Sequence, residues 1–592
     1  RPGVTETCDG VDQDCDGEID EGASVFCQLD NAVSQCQLGQ CRVFSCLPGY
    51  ENADNDASNG CERAIPEIEL KLGTSCSTDV DCADGNYCNG VENCIGGECW
   101  RGAEINCSSP TVLQGNATIA SGTDLNNLKG IEVITGDLTI ASSLLDSLVG
   151  LESLRVVAGN LIIQDNAQLK RLSGSALSEL ETVGGTLLIT RNDALINTDL
   201  PSLTSVGSLA IFDNSALEEL TGFAKLVSVE TALVIGADGL ERINAFPELV
   251  RIGGSNSGIV DLGILNADSQ PLTLEDTGCE GGGFLVQSNG TMTELVPLPK
   301  LEVIEGGLCI YESTLESINF PVLTDIGADV NLVSESVTEI LFPQLGQVGG
   351  ALSFLPEITT ALPVERIEFP QLSVVGDAVG FNLRTRSLET LDLSRLNSAG
   401  RMTFYLSGTG EPPVATEVRL SSLESVLDFE MTIENKFSLA EFNLQSLETV
   451  GCGLRINTDD AMLNSIRLTA LTSLNTTGCA NLDGPPQPWL VYDGRADSLE
   501  EFLATSLSEA PGISITSEAD VQQINISSNL GASESLTLDR LTLKTYADTL
   551  EISKISIVND DLEFCVTPDG ACEEYDRLSA SLSSEPSSCN CN

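Results

Sequence analysis

Residues 6–22 read ETCDGVDQDCDGEIDEG, and the carboxylates in that run pose the first chemical question. Asp12, Asp14 and Asp16 alternate along the chain and are followed at once by Gly17. Glu18 stands where a backbone carbonyl would ligate, Ile19 where an apolar anchor would pack, and Asp20 and Glu21 can complete the shell. Alternate carboxylates closed by a glycine are the spacing with which a loop wraps Ca2+, a hard cation that takes about six to eight oxygen ligands. Without a cation so many like charges at short range repel one another. The expected cofactor is therefore Ca2+, against the plainer reading of a solvated acidic turn. Ala23 stands where a helix-flanked calcium loop would place its closing bidentate Glu, and Cys8 and Cys15 could staple the loop instead. Asp54 and Asp56, in GYENADNDASNGCE, are a second and less regular candidate pair.

Other chemistries are narrowed by composition. The chain of 592 residues has no histidine, so Ser-His-Asp and Cys-His catalysis and His-based metal sites cannot be built from it. Against 88 Asp and Glu there are 28 Lys and Arg, a formal net charge of −60. Nucleic-acid binding needs a basic footprint, which this balance denies. Such a surface suits an extracellular setting, divalent cations, or both. No apolar run approaches the ~18 residues of a membrane span. Arg1 is not an initiator Met, which reads as a processed or truncated chain.

Of 21 cysteines, thirteen precede residue 108. That density implies an oxidising compartment and a disulfide-stapled N-terminal region, with zinc the alternative that the missing Cys-x-x-Cys pairs disfavour. Residues 76–107 hold six of them, an even count that reads as three local disulfides. This region reads as a cap over an open sheet edge, or as a ligand-binding module. Further along, Cys452 and Cys479 sit at nearly the same place in successive repeats, and Cys279 and Cys309 are 30 residues apart. Both pairs are expected to be staples across adjacent coils, and Cys565 with Cys572 to close a hairpin.

Most of the chain is a repeat. Leu315–Phe381 contains LESINFPVLTDIGADVNL, VTEILFPQLGQVGGALSF and VERIEFPQLSVVGDAVGF. The first inward residue of the Gly-x-Leu-x-Ile strand falls at Leu138, Leu161, Leu187, Leu209 and Leu233, then at Leu308, Val330, Leu352, Val379, Met402, Met431 and Leu454, a period of 22–29 residues. Less certain coils lie near Ala117, Ile259 and Leu285. Units this short cannot bury an apolar face alone and must stack. The expected fold is mainly β, a long parallel β-solenoid of about 13–15 coils. Pro201, Pro247, Pro299, Pro321, Pro343 and Pro370 each stand two residues before a Leu and mark strand ends or corners. Gly184-Gly185, Gly306-Gly307 and Gly349-Gly350 are expected at corners with φ > 0. Asn166, Asn192 and Asn214 each follow a strand's first Leu by five residues, as a structural ladder of amides would.

The L-x-x-I-x-F-P-x-L-x-x-V-G-G-x-L-x-I pattern resembles the receptor L-domain family, which includes the ligand-binding lobes of insulin- and EGF-type receptors and a group of fungal cell-wall proteins. The resemblance implies a single-stranded right-handed β-helix. The N-terminus is similar to the CDG-x-D-x-DCDG-x-x-DEG metal-binding motif, and residues 49–62 to the Asn-Gly-Cys-Glu modules, of secreted myxobacterial proteins. Both imply a bacterial extracellular source.

The expected divisions are an acidic calcium loop (1–22), a cysteine-rich module (23–65), a six-cysteine module (66–107), the solenoid (108–484), a C-terminal cap (485–580) and a Ser-rich tail (581–592). Within the cap, Asp497 is expected to start a helix over Ser498–Ser508, with Glu500 in capping-box position. The tail carries Cys589 and Cys591, one of them suited to a lipid or intermolecular bond, so membrane contact is expected only through a C-terminal anchor. The irregular stretch 254–298 is the expected recognition loop. Sequons at Asn106, Asn116, Asn289, Asn475 and Asn525 would carry glycans in a eukaryotic source. Three functions compete: a structural or adhesive surface protein whose partner is itself, a calcium-dependent binder of cell-surface glycan or protein, and a polysaccharide-active enzyme. No acidic cluster recurs on one face of successive coils, which disfavours the enzyme.

Overall fold

In a computed structural model of the chain, the Leu-x-Ile alternation becomes a continuous parallel ladder. Described are residues 111–528 with short breaks, the longest at 254–260, 266–270, 274–281, 355–362, 408–415 and 475–488. Backbone strands alone are described at 32–37, 40–46, 50–51, 63–64, 71–75, 93–95, 98–100, 261–265, 271–273, 536–553 and 555–567. The chain divides into two units, Arg1–Thr111 and Val112–Asn592. In the first, two hairpins place cysteines directly opposite each other, Cys36 across from Cys41 and Cys94 across from Cys99.

Each coil of the second unit has three sides. The first is a two-residue strand with an inward Val or Ile, such as Ile134, Val157, Val183, Val206 and Val229 in register. The second is the longer Leu-x-Ile strand, and the third a short x-Ile-x strand. On the second side the register runs through Ala117, Leu138, Leu161, Leu187, Leu209 and Leu233. It continues through Phe284, Leu308, Val330, Leu352, Phe381, Met402, Phe429 and Leu454. Alternation puts every other side chain inside, so Leu138 and Ile140 are both fully buried. The fold is a parallel β-solenoid, mostly β with a single short helix, Gly122–Asn127, among the described residues.

Several expectations need correcting. At the ladder's first inward position the register places Phe284, Phe381 and Phe429, one or two residues away from the expected Leu285, Val379 and Met431; Met431 is the second inward residue of its strand. The coil expected near Ile259 falls outside the described residues, and the described ladder passes from Leu233 straight to Phe284. The ladder does not stop at Leu482. It passes in parallel register from Leu454 to Leu490, Ile513, Leu541 and Leu562, so coils occupy the stretch expected to be a separate cap. The expected helix over Ser498–Ser508 is a strand, Glu501–Leu507, with Phe502 and Ala504 inward. Local capping signals lost there to the stacking surface offered by Ser465–Arg467.

The glycine pairs also work differently from expectation. Gly185, Gly306, Gly349 and Gly350 do not have positive φ; their role is close approach between coils. A Cβ on Gly349 would lie 2.2 Å from the Gly327 carbonyl oxygen, and one on Gly350 2.0 Å from the Asp329 carboxylate. Apart from glycines such as Gly222 and Gly283, the described left-handed positions are Asp165, Arg191 and Asp213, one residue before each ladder asparagine. Asp tolerates that region better than most residues. The prolines stand where expected: Pro343 and Pro370 open two-residue turns just after the third-side strands Glu339–Leu341 and Arg366–Glu368.

The asparagine ladder is as expected. Asn192 Nδ2 donates to the carbonyls of Ile163 (2.9 Å) and Thr190 (3.0 Å) and to Asn214 Oδ1 (3.2 Å). Its own Oδ1 accepts from the backbone N–H and Nδ2 of Asn166, both at 3.1 Å. All three amides are fully buried, and the ladder ties each of these corners to the coil before it and those of Asn166 and Asn192 also to the coil after.

Candidate functional site

Most of the residues picked for chemistry lie outside the described ones. These are Asp12, Asp14, Asp16, Glu18, Asp20, Glu21, Asp54 and Asp56, with Cys279, Cys479 and Cys572. The donor set of the N-terminal loop is nevertheless informative. It is carboxylate oxygen with no imidazole, which fits a hard cation such as Ca2+ better than a softer transition metal. Among the described residues no group of three or more His, Cys, Asp or Glu could hold a metal ion.

Cys309 and Cys452 are each disulfide-bonded. They cannot be joined to each other, because six rungs of ~4.8 Å separate them and a disulfide spans less than about 7 Å between Cα atoms. Their partners therefore lie outside the described residues. Cys565 sits on the strand Ile555–Thr567 opposite Lys544.

The irregular stretch is an insertion in the ladder. Arg251 pairs with Val303, and Leu233 with Phe284, so the chain leaves the solenoid after the first coil and rejoins it in register at the next. Within the insertion Asp261–Leu265 and Pro271–Thr273 pair antiparallel. The first of these strands approaches Thr182–Thr190 with Cα atoms within 8 Å. Leu188, Ala210, Val234, Leu285 and Cys309 form one outward column of the second side, yet all are buried. They make a small second apolar cluster, separate from the core, with Ile162, Phe212 and Tyr311 at its margin.

That column has a property the motif reading passed over. From Thr118 to Thr403 it contains no Asp, Glu, Lys or Arg. Beyond the apolar cluster it continues as Asn331, Ser353, Asn382 and Thr403. The signal was present in the sequence as the x of each Leu-x-Ile, but it emerges only when repeats are aligned by true register.

Charge is concentrated on the other sides and paired between coils. Arg251 bridges Glu230 (3.2 Å) and Glu305 (2.7 Å), and Arg419 meets Asp392 (3.2 Å) and Glu417 (2.8 Å). Arg366 bridges Glu339 and Glu368 in the same way. Asp428 is the buried exception. Burial pushes its carboxyl above the ordinary value, opposed by Arg455 and Arg401, whose guanidinium nitrogens lie 3.3 and 3.5 Å away. A cavity of about 130 Å³ opens at the third-side corner, lined by Phe246, Pro247, Val296, Pro297, Leu298 and Pro299 among others. Its lining has no ionisable side chain.

Comparison with known families fits this geometry. Residues 106–206 match the receptor L domain. Residues 1–21 match a second family, described as "Putative metal-binding motif". The chain is also similar to three fungal proteins. Sporulation-specific protein 2 of Saccharomyces cerevisiae is 24% identical over 279 residues, 41% of this chain and 53% of that one. A cell surface GPI-anchored protein of Arthroderma benhamiae is 27% identical over 299 residues, 48% of this chain and 73% of that one. Cell wall protein ecm33 of Schizosaccharomyces pombe is 26% identical over 237 residues, 38% and 54% of the two chains. The chain spans about half the length of the first curated relatives it matches. No helix among the described residues is long and apolar enough to cross a membrane.

Proposed function

We propose that the chain is a non-enzymatic structural or adhesive protein of the outer cell surface or extracellular matrix, with calcium-stabilised N-terminal modules. The observation that carries this reading is the likeness of a long, acidic, closely stacked solenoid to proteins named for the cell surface and the cell wall. The paired charges support it. The arginines Arg251, Arg366 and Arg419 are spent tying neighbouring coils, as in a scaffold, rather than gathered in a cleft. The N-terminal modules favour a bacterial source, whereas the fungal relatives bear on the solenoid. Self-assembly into fibres or a coat is the form of structural role we favour. Solenoid ends present unpaired strand edges, and heterologous end-to-end contacts propagate. The metal is proposed as Ca2+ on the all-oxygen donor set of Asp12 to Glu21.

Negative-stain microscopy of the non-reduced protein, with calcium and with chelator, tests the assembly. Ordered fibres or sheets are expected; isolated particles under every condition would leave adhesion by a single chain. Limited proteolysis tests the cation. Chelation should open residues 1–107 to cleavage while the solenoid stays resistant, and unchanged resistance of that region would remove calcium from the reading.

A further inference from the structure

At one corner of the third side a rung is left open. One residue separates Ile318 from Phe320, Ile340 from Phe342 and Ile367 from Phe369, the buried residue at the corner that follows each third-side strand. Two separate Ile243 from Phe246 and Leu295 from Leu298. At the shorter corners the N–H of Phe320, Phe342 and Phe369 donates to a carbonyl of the next coil, at 3.0, 2.9 and 2.9 Å. Among the described residues the N–H of Phe246 has no hydrogen-bond partner, although Phe246 is only 3% exposed. The cavity of about 130 Å³ lies at this corner, lined by buried Phe246 and Leu298 and by exposed Pro247, Pro297 and Pro299. Asn244 also lines it, exposed, and its side-chain amide makes no hydrogen bond among the described residues. Arg242 pairs with Glu294 at 2.7 Å and Lys300 with Glu248 at 2.5 Å, so the two coils are clasped just before and just after the lining segments.

We propose that this cavity binds one small neutral aromatic alcohol, a phenol-type ring taken from solution. The proposal goes beyond the surface-protein reading and does not rest on it. Its first support is size. An apolar cavity of about 150 Å³ holds one benzene ring, so this one has room for a single ring and little else. The second is charge. The lining has no ionisable side chain, so a charged ligand would lose its hydration and gain no counter-charge.

The third support is the pair of unpartnered polar groups. One phenolic hydroxyl accepts from an N–H and donates to an amide oxygen, which is what the Phe246 N–H and the Asn244 amide together offer. The fourth is the aromatic column. Phe246 stacks on Phe223 with ring centroids 5.4 Å apart, but the next corner residue in register is Leu298, so the described residues give Phe246 no ring on that side. Ring pairs contribute beyond the area they bury, which favours an aromatic over a saturated ring. A tyrosine presented by a protein partner would need an apolar contact surface around the ring. The residues flanking the lining are instead charged and already paired with each other.

The test is titration of the full chain with phenol followed by saturation-transfer NMR, with benzene, cyclohexanol and benzoate as comparisons. Phenol should bind saturably and about fivefold more tightly than benzene, which lacks the hydroxyl. It should exceed cyclohexanol about threefold or more, for want of an aromatic face, and benzoate about tenfold or more, for its charge. Leu298→Phe, whose larger side chain takes up the space, should abolish binding. Asn244→Ala, at an exposed position, should weaken phenol about threefold or more and leave benzene unchanged. Circular dichroism shows whether each variant keeps its fold. Absence of saturable phenol binding would overturn the proposal and leave the cavity to water. So would an unchanged affinity for phenol in Asn244→Ala or in folded Leu298→Phe, or benzoate bound as tightly as phenol. A tyrosine-containing peptide amide that bound at least tenfold more tightly than phenol would overturn it too, by assigning the cavity to a protein partner.

Discussion

The solenoid solves the same corner in two ways. Between Leu161 and Gly236 the turn after the long strand is held by Asn166, Asn192 and Asn214, the first two amides reaching the coils on both sides and the third the coil before it. Between Leu315 and Val418 the corner is held by single hydroxyls. Ser334 Oγ donates to the Leu315 carbonyl at 2.9 Å, and Thr385 Oγ1 to that of Val364 at 3.0 Å. The second region compensates in its core. Phe320, Phe342 and Phe369 stack with ring centroids 5.2 and 5.0 Å apart, at the corner where the first region has Leu177, Leu200 and a single ring, Phe223. One region is pinned by polar groups that must all be satisfied together, the other by apolar contacts that tolerate local loss. Polar pinning should therefore be the more brittle of the two.

The sharpest way to break that contrast is Asn192→Ala. It removes three donated and two accepted hydrogen bonds in a fully buried site and leaves the carbonyls of Ile163 and Thr190 without that partner. With unsatisfied buried groups costing about 1–3 kcal/mol each, a loss of about 4 kcal/mol is expected. Thr385→Val, which removes one donated hydrogen bond and a long accepted one from the Ser387 N–H (3.4 Å), should cost only about 1 kcal/mol. Urea unfolding followed by circular dichroism would show both. Equal losses would mean that the two corners are energetically equivalent and the contrast is only geometric. Because repeats unfold as neighbouring units, a broadened transition for Asn192→Ala would further place the weak point in the first region.

Next in size is the aromatic stack. Phe342→Leu should lose about 2 kcal/mol, from a small cavity and two ring contacts. The reciprocal Leu200→Phe should not recover this in the first region, since it would meet a ring on one side only, Phe223 of the next coil, and overpacking itself costs about 1–3 kcal/mol. A stabilised Leu200→Phe protein in the same urea assay would show that the two cores are interchangeable.

How much of this was legible beforehand follows from which forces are local. The period, the inward Leu-x-Ile rows and the asparagine ladder were readable because each depends on spacing within one repeat, and Asn166, Asn192 and Asn214 keep that spacing. The aromatic stack was not foreseen, although INF, ILF and IEF were in plain view. A 4% aromatic content says nothing of how the rings are placed, and only stacking brings them within about 5 Å. Coils past Leu482 were missed because Pro485, Pro486 and Pro488 interrupt the pattern, while the ladder tolerates long loops between rungs. The same tolerance hid the skip from Leu233 to Phe284. The neutral column escaped notice because it is made of residues that the motif leaves unspecified.

The smallest effect bears on the polar region's exposed edge. Arg191 Nε lies 2.7 Å from Asp165 Oδ1, and its hydrogen bond to that carboxylate holds Asp165 below its ordinary value of 3.8. Because the folded state lowers this pKa, the pair's contribution is complete above the unfolded value and is lost as pH falls through the lower folded value. Both side chains are more than a third exposed, at 44% and 38%, so solvent screening limits the contribution to about 0.5 kcal/mol or less. Asp165→Asn is the informative variant, since Asn accepts the left-handed backbone at φ 56° and the charge alone is removed. It should lower stability slightly at pH 7, converge on the parent as pH falls through the lowered folded value of Asp165, and show no difference in high salt. A loss that persisted in acid or in salt would trace to the backbone. The corner's own geometry, and not its charges, would then be what makes the asparagine-held region the more brittle half of the solenoid.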